Sequence, residues 1–194
     1  MHLILASASP RRSELLSTLG LRFDVATGAD LDEAALLGAH DGPLETRLCA
    51  LARFKGVEVA VEHPQATVLS ADTVVVLDGV PLGKPADPDH AREMLSRLSG
   101  RTHEVYTAVC VQRAADSFRA QGCEITRVYF SELGTETIKR YIERAQPFDF
   151  AGAYAIQGLG ALLVARIEGD YSNVVGLPLG LTARLLAQAG IEVL

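Results

Sequence analysis

Arg11 and Arg12 follow a turn of two serines and a proline that interrupts an apolar run near the amino terminus. Residues 3–6 predict a buried strand, and residues 11–20 predict a helix with Ser9 as its N-cap. A strand, a turn and a helix leave free N–H groups and the positive end of a helix dipole at the edge of a sheet, where phosphate binds readily. Guanidinium groups match phosphate oxygens well. The stretch therefore predicts a phosphate site, with a well-capped first helix and solvated arginines as the alternative.

Asp72 is the acidic residue with the strongest sequence signal. It follows an apolar run over residues 67–71, and a second apolar run begins at Val74. We expect a carboxylate there to be largely buried, at a cost that a bound metal, an arginine or a catalytic water would offset. The sequence predicts a functional acid at a strand end, where α/β proteins commonly place ligands. An aspartate that caps a turn through its own backbone is the alternative.

Two lysines extend the set of candidate cations. Lys55 falls on a predicted helix over residues 44–62, and Lys84 lies in a Gly-Lys-Pro turn. The turn is not a P-loop, because its glycine spacing is one residue short and proline stands where Ser or Thr should bind magnesium. By itself Lys84 is interpreted as a lysine in a solvated turn. Together with the two arginines and Lys55, it would complete a cationic ring around a phosphate.

Two later segments carry further candidates. Residues 151–158 combine small side chains with one tyrosine and with Gln157. Such a segment lets the backbone approach a flat ligand closely, and tight packing of a loop on the sheet explains it equally well. Residues 169–178 predict a turn whose polar side chains cap the following helix rather than contact a substrate.

Composition restricts the class of protein. The chain has 194 residues, 48% of them hydrophobic and 22% charged, which suits one compact domain or two lobes that share a cleft. A net charge of −6 argues against a sequence-independent nucleic-acid binder, which needs a basic face. Residues 151–165 form too short and too interrupted an apolar run to span a membrane, and no signal peptide is recognised. We expect a cytoplasmic protein with neither nucleic-acid nor membrane partners.

Cysteine and histidine spacing predicts no metal centre of the zinc type. Cys49, Cys110 and Cys123 are widely separated and form no Cys-x-x-Cys pair, which is typical of reduced core residues in a cytosolic protein. The histidines show no metal-ligand spacing either, and surface or capping roles are expected for each. They are His2, His40, His63, His90 and His103.

Hydrophobic periodicity predicts an α/β fold with a mixed, partly antiparallel sheet, because strands and helices alternate early and strands cluster later. Strands are predicted at residues 22–26, 102–111, 124–130, 161–167 and, in a short last strand, 191–194. The apolar strand that ends at Asp72 is followed by a second apolar run over residues 74–77. Helices are predicted at residues 44–62, 88–98, 135–144 and 179–189. A hairpin at Asp78–Gly79, an acidic loop over residues 27–42 and a polar link over residues 114–122 complete the pattern.

Six separated motifs occur in one order along the chain: LILASASPRR, SADTVV, GKP, LSGRTHEVYTAV, AGAYAIQG and GDYSNVVGLPL. Together they resemble the Maf family of nucleoside triphosphate pyrophosphatases over essentially the whole length. The resemblance implies a single domain over residues 1–194 with a two-lobed fold. Its elongated mixed sheet is flanked by helices around a central cleft, as in inosine triphosphate pyrophosphatases. It also implies hydrolysis of a nucleoside triphosphate to the monophosphate and pyrophosphate with a divalent cation, Mg²⁺ or Mn²⁺, and leaves a homodimer open.

The resemblance also implies roles for particular residues. Asp72 corresponds to the proton acceptor of the family and, with Glu33, to the acids of its metal region. The phosphate-binding positions correspond to Ser9, Arg12, Lys55 and Lys84. The positions associated with substrate choice correspond to Arg11, Thr73 and Gln157. This set is similar to that of the branch acting on dTTP and UTP, whereas the branch acting on 7-methyl-GTP tends to carry Trp, Gln and Glu.

Two departures from the family pattern each remove a positive charge near the implied cleft. Phe150 stands where the family usually has lysine, and Ala50 stands where it usually has arginine. We expect both to weaken affinity for the triphosphate without affecting Asp72. A nucleotide-binding regulator of cell division that lacks turnover is the rival hypothesis, and a phosphotransferase is disfavoured by the missing P-loop.

Overall fold

The computed structural model describes residues 2–28 and 42–194. Within these residues seven strands form one mixed sheet in the order β2-β1-β3-β5-β6-β7, with β4 paired to β3. The strands are β1 (Leu3–Ala6), β2 (Asp24–Ala26), β3 (Thr67–Leu77), β4 (Val80–Leu82), β5 (Thr102–Arg113), β6 (Phe118–Phe130) and β7 (Val164–Glu168).

Six α-helices flank the sheet among the residues that the structure describes, and this combination confirms the predicted α/β class. They are α1 (Pro10–Ser17), α2 (Leu44–Glu62), α3 (Pro88–Leu98), α4 (Thr135–Ala145), α5 (Tyr171–Val175) and α6 (Leu179–Gln188). Short 3-10 turns lie at Ala114–Asp116, Pro147–Asp149, Ala151–Ala153 and Gly158–Leu163. None of the described helices is long and apolar enough to cross a membrane.

The pairing directions confirm a sheet that is partly parallel and partly antiparallel. Strand β1 runs parallel to β2 and β3, whereas β3–β4 and β6–β7 are antiparallel. The predicted hairpin joins β3 to β4 through Asp78 and Gly79, whose φ angles of 54° and 77° are those of a tight type I′ turn. Asp87 caps α3 as predicted, since its Oδ1 accepts a hydrogen bond of 2.8 Å from the amide of His90.

The chain divides into two compact units. The first comprises Met1–Asp72, Thr107–Glu124 and Gly176–Leu194, and the second comprises Thr73–Tyr106 and Ile125–Val175. Strands β3, β5 and β6 each contribute residues to both units. The single domain over residues 1–194 stays a prediction.

The core of the first unit shows which face of the sheet each side chain occupies. One cluster includes Leu5 and Leu69 with side chains of α1 and α6, and another includes Ile4 and Val68 with Val59 of α2. Because successive side chains of a strand point to opposite faces, residues 70 and 72 share the face of Val68, which α2 covers.

The second unit contains β4, β7, parts of β3, β5 and β6, and the helices α3, α4 and α5. Helix α3 packs against α4 and against the turn at Ala151–Ala153. The apolar side chains that these helices bury are Ala91, Met94, Leu95, Leu98, Ile138 and Ile142. This packing places the tyrosine-containing segment at residues 151–158 against the rest of the unit.

Five predicted elements need correction. The predicted turn over residues 169–178 contains α5, and α6 begins after Pro178 without a side-chain capping hydrogen bond, so the predicted capping of that helix is wrong. Strand β7 begins at Val164 instead of residue 161, because residues 158–163 form a 3-10 helix. Strand β6 begins at Phe118, because Ser117 adopts a left-handed φ of 57° and closes a tight turn where a longer link was predicted. The predicted helix over residues 11–20 spans only Pro10–Ser17, and the last four residues form no strand.

Candidate functional site

Asp72 lies inside β3 and its side chain is nearly enclosed. The residue is 6% exposed, which confirms the predicted burial. Its Oδ1 accepts a hydrogen bond of 2.5 Å from Nζ of Lys55, on α2. A lysine was not among the partners predicted for this carboxylate from the sequence, whereas a metal and a catalytic water stay predictions. The strand-end position is wrong, and a mid-strand aspartate does not cap a turn. The ammonium group of Lys55 offsets part of the free-energy cost of burying this carboxylate.

Helix α2 is held against the sheet immediately before Lys55. Ser70 Oγ donates to the carbonyl of Ala52 at 2.6 Å, and Gln112 Nε2 donates to the carbonyl of Arg53 at 3.1 Å. At Gly56 an added Cβ would lie 2.6 Å from Gln112 Nε2 and 2.7 Å from Ser70 Oγ. Only glycine permits this approach of helix to strand, so Gly56 brings Lys55 within reach of Asp72.

These anchoring residues were missed at the sequence level. The available signals were a glycine inside a helical pattern and a serine inside an apolar strand, Gly56 and Ser70. Each is unfavourable for its element and is retained where packing or function requires it. Neither signal identifies the partner element, since the residues joined here are 18 and 59 positions apart.

The turn after β1 is ordered by Ser7. Leu5 of β1 is opposite Leu69 of β3, so the turn begins beside residues 70–72. Ser7 Oγ accepts hydrogen bonds from the amide of Ser9 at 3.2 Å and from Nη1 of Arg12 at 3.3 Å. Ser9 occupies the predicted N-cap position, but its side chain makes no capping hydrogen bond. The predicted position is therefore confirmed, and the predicted capping bond is wrong. Ser7 orders the turn instead.

Arg12 is fixed at the start of α1 by main-chain and side-chain acceptors. Its Nε donates to the carbonyl of Gly176 at 2.8 Å, in addition to the bond with Ser7. These bonds use the Nε and Nη1 groups of the guanidinium. A guanidinium held in place beside the first turn of a helix suits recognition of phosphate oxygens. Arg11, the adjacent residue, is half-buried.

The predicted site residues of the described part of the chain are divided between the two units. Thr73, Lys84 and Gln157 belong to the second unit, whereas Asp72, Lys55 and Arg12 belong to the first. Lys84 Nζ is 3.7 Å from Asp149 Oδ1, and both side chains are largely exposed, so this ion pair adds little stability. The complete cationic ring therefore stays a prediction. Glu33, and with it the acidic loop, lies outside the described residues.

The Lys84 turn and the Gln157 segment do meet within the second unit. The amide of Gly152 donates to the carbonyl of Gly83 at 3.0 Å. Gly152 has a φ of 69°, and an added Cβ there would lie 3.1 Å from Val75 Cγ1. The two segments that the sequence marked separately are thus bonded to each other through their backbones.

His103 contradicts the expectation of a surface or capping role. It is 2% exposed on β5, and its Nε2 lies 2.7 Å from the hydroxyl of Tyr154. Burial lowers the pKa of His103 to about 4. In contrast, His2 and His63 are exposed, and His90 Nδ1 accepts from the amide of Ala86 at a helix start; His40 lies outside the described residues.

Two of the three cysteines are buried, as predicted for core residues. Cys49 and Cys110 are buried and Cys123 is half-buried, and all three are free. Burial raises the pKa of the Cys110 thiol to about 12. Among the described residues, no group of three or more His, Cys, Asp or Glu side chains is placed to hold a metal ion.

We expect the buried histidine to make folding stability depend on pH. An unfolded histidine has a pKa near 6.5, and the pKa of His103 in the folded protein is about 4. Between these values the unfolded chain binds the extra proton, so acidification favours unfolding by up to about 3 kcal/mol. Above pH ~6.5 this histidine contributes no pH dependence. Urea unfolding between pH ~4 and ~7 measures the effect, and His103→Gln should flatten the curve. An equal slope in both proteins would contradict the assignment.

The geometry defines an α/β protein with a buried Asp–Lys pair beside a strand–turn–helix that holds a fixed arginine. Residues 2–189 match the family model described as Maf-like protein. A dTTP/UTP pyrophosphatase of Symbiobacterium thermophilum is 49% identical over 99% of this chain and 96% of that protein. One of Myxococcus xanthus is 50% identical over 97% and 93%. The chain belongs to the Maf-like protein family.

One solved structure has a much weaker similarity. A nucleoside-triphosphatase, or dITP/XTP pyrophosphatase, of Mycobacterium abscessus covers 69% of this chain and 74% of its own. Its TM-score is 0.42 and its sequence identity 13%, too low to support an inference about this chain. The relatives in sequence, in contrast, extend over nearly the whole length of both proteins.

Proposed function

We propose that this protein is a nucleoside triphosphate pyrophosphatase that hydrolyses dTTP and UTP to the monophosphate and pyrophosphate. The observation that carries the proposal is the buried Asp72–Lys55 pair, in a chain about half identical to proteins named dTTP/UTP pyrophosphatase. Burying a carboxylate and an ammonium rarely increases stability relative to apolar residues of similar size. The presence of this charged pair in a nearly enclosed site is better explained by chemistry at this position.

The cations of the first unit suit a triphosphate. A nucleoside triphosphate carries about four negative charges, and an attacking water must approach that charge. An ammonium group has three donors, so Lys55 can keep its bond to Asp72 and still donate to a phosphate oxygen. Arg12, held by Gly176 and Ser7, presents a guanidinium that need not be reorganised on binding. Both groups stabilise charge that develops on the leaving pyrophosphate.

Asp72 is the carboxylate proposed to act at the reaction centre. Its carboxylate can orient or deprotonate the attacking water, or hold the divalent cation. Mg²⁺ is commonly bound by one or two carboxylates together with substrate phosphates rather than by a full protein cage. One buried carboxylate therefore fits Mg²⁺ or Mn²⁺, with Glu33 as the proposed second. A bound cation would neutralise the phosphate oxygens.

Gln157 is proposed to contact the base, and Arg11 and Thr73 are the other two positions proposed to influence substrate choice. Uracil and thymine present an O4 acceptor beside an N3–H donor, and the amide of Gln157 complements this pattern in one orientation. Turned over, the same amide suits cytosine. Selectivity requires a locked amide, and CTP then leaves buried groups mispaired at about 1–3 kcal/mol, or roughly 5- to 150-fold in kcat/KM.

Two alternatives remain testable. A 7-methyl-GTP pyrophosphatase would accept a methylated purine. The family resemblance implies Trp, Gln and Glu for that activity, whereas this chain has Arg11, Thr73 and Gln157 at those positions. A nucleotide-binding regulator would bind nucleotides without turnover, and the buried pair at Asp72 gives no advantage to such a protein. Nucleotide binding without release of pyrophosphate would support the regulator.

We expect magnesium-dependent release of pyrophosphate from dTTP and UTP, and much less from CTP and 7-methyl-GTP. If water attacks the α-phosphorus, hydrolysis in ¹⁸O-water labels the nucleoside monophosphate. Mass spectrometry of the products distinguishes the bonds. Label in pyrophosphate would indicate attack at the β-phosphorus, and labelled orthophosphate would indicate a simple triphosphatase; either would refute the proposed reaction.

A further inference from the structure

His103, Tyr154 and Phe130 form a buried aromatic cluster in the second unit. Their three ring pairs are edge-to-face, with centroids 5.0, 5.4 and 4.7 Å apart. Within this cluster, His103 Nε2 lies 2.7 Å from the Tyr154 hydroxyl, a hydrogen-bonding distance. His103 Nδ1 is buried and has no hydrogen-bond partner among the described residues. A neutral histidine is thus committed to this one bond.

The pair is costly for stability alone. Burial lowers the pKa of His103 and raises that of Tyr154, so both side chains stay uncharged at neutral pH. An apolar residue in place of His103 would leave no unpaired nitrogen in the core. The histidine therefore has a role that an apolar side chain of similar volume would not supply.

Tyr154 directly follows a turn whose backbone conformation is unfavourable for one of its residues. The two residues before it, Gly152 and Ala153, have φ angles of 69° and 60°. A left-handed conformation is disfavoured for alanine, so contacts elsewhere must hold the turn. Further along, an added Cβ at Gly160 would lie 1.7 Å from the carbonyl oxygen of Ala155, so the segment also folds tightly on itself.

The anchored segment carries residues from two parts of the proposed substrate site. Gln157, the proposed reader of the base, follows Tyr154 by three residues, and its carbonyl accepts from Gly160 at 3.3 Å. Through the bond from Gly152 to Gly83, the same turn is joined to the backbone beside Lys84. A shift of Tyr154 would move both.

We propose that the His103–Tyr154 pair is a positioning device that locks the Gln157 amide in the orientation selecting uracil or thymine over cytosine. This inference rests on the proposed function. A lock is needed because a mobile Gln157 amide would accept the hydrogen-bonding pattern of uracil and that of cytosine equally. His103 and Tyr154 are 2% and 5% exposed, so we expect neither to contact the substrate. Both act through residues 152–158, and so they are positioning residues rather than catalytic ones.

Tyr154→Phe tests the inference, since it keeps the ring packing and removes only the hydroxyl. We expect the ratio of kcat/KM for UTP over CTP to fall at least about threefold, through a higher KM for UTP with kcat nearly retained. His103→Leu should behave alike, whereas His103→Gln, whose amide can reach the hydroxyl, should retain more of the preference. Gln157→Glu serves as the variant that alters the base contact directly.

Two controls separate positioning from general loss of stability. Tyr129→Phe is the same substitution at an exposed hydroxyl bonded to Glu168 and should leave the ratio unchanged. Leu185→Ala weakens the core of the first unit and should lower Tm without changing the ratio. If Tyr154→Phe leaves the ratio unchanged, or if Leu185→Ala lowers it equally, the inference is wrong.

Hydrogen exchange without nucleotide gives a second readout that does not depend on activity. We expect the Gly152 amide to exchange at least about tenfold faster in Tyr154→Phe than in the native protein. Unchanged exchange there would overturn the positioning role whatever the activity. A native protein that fails to hydrolyse UTP would instead refute the proposed function, while faster exchange would still support the anchoring of the segment.

Discussion

Asp72→Asn should lower kcat for dTTP and UTP by at least about a hundredfold, the lower end for loss of a general base. The amide keeps the shape of the side chain and an oxygen that can accept from Lys55. It removes the negative charge, and with it both proposed roles of the carboxylate. Steady-state kinetics with pyrophosphate detection measure the effect, and urea unfolding shows whether the fold is retained.

The matched control is Asp89→Asn, which makes the same change at an exposed carboxylate paired with Arg92 on α3. Its activity and stability should both stay near those of the native protein. Near-normal turnover by Asp72→Asn would transfer the catalytic role to another acid, with Glu33 as the next candidate. A large fall in the Asp89 variant would show that the assay responds to general effects of charge.

Lys55→Met should reduce both stability and activity, for separable reasons. Methionine keeps an apolar stem, but the Asp72 carboxylate loses its counter-charge in a nearly enclosed site. Breaking a buried pair costs about 3–5 kcal/mol. Because the Lys55 side chain is about one-fifth exposed, we expect a loss of about 2–3 kcal/mol in unfolding free energy. We also expect kcat/KM to fall at least about tenfold, since a phosphate contact is removed.

The double variant Lys55→Met/Asp72→Asn separates these effects. With the carboxylate gone, no charge is left unpaired, so the double variant should be more stable than Lys55→Met and remain inactive. For stability alone, Lys84→Met is the matched control, because its pair with Asp149 is exposed; its change should stay within about 0.5 kcal/mol. Strictly additive losses in the double variant would show that Lys55 and Asp72 are not energetically coupled.

Local sequence patterns were sufficient for most of the architecture. The helical spacing of α2 predicted its observed bounds, Leu44–Glu62, because one apolar stripe must face the sheet. Asp78–Gly79 and Asp87 were identified correctly, since turn and cap preferences depend on a few neighbouring residues. The order of six motifs indicated the family, which the match over residues 2–189 confirms.

Errors arose where several local choices were nearly equal in energy. Residues 158–163 are as apolar as a strand, but close packing at Gly160 favours a 3-10 helix there. Ser9 and Ser7 are equally good acceptors, and the position of Arg12 favours Ser7. Such differences depend on neighbours that a short window does not contain.

Sequence by itself determined the α/β class, the burial of Asp72 and the family, because alternation, helical period and motif order are properties of local segments. Tertiary structure alone decided the partners. Lys55 meets Asp72 across 17 positions, and His103 meets Tyr154 across 51. Each contact depends on strand register and on the approach of one element to another, as at Gly56. Those distances are set by packing of the whole unit, so the composition of either segment does not reveal them.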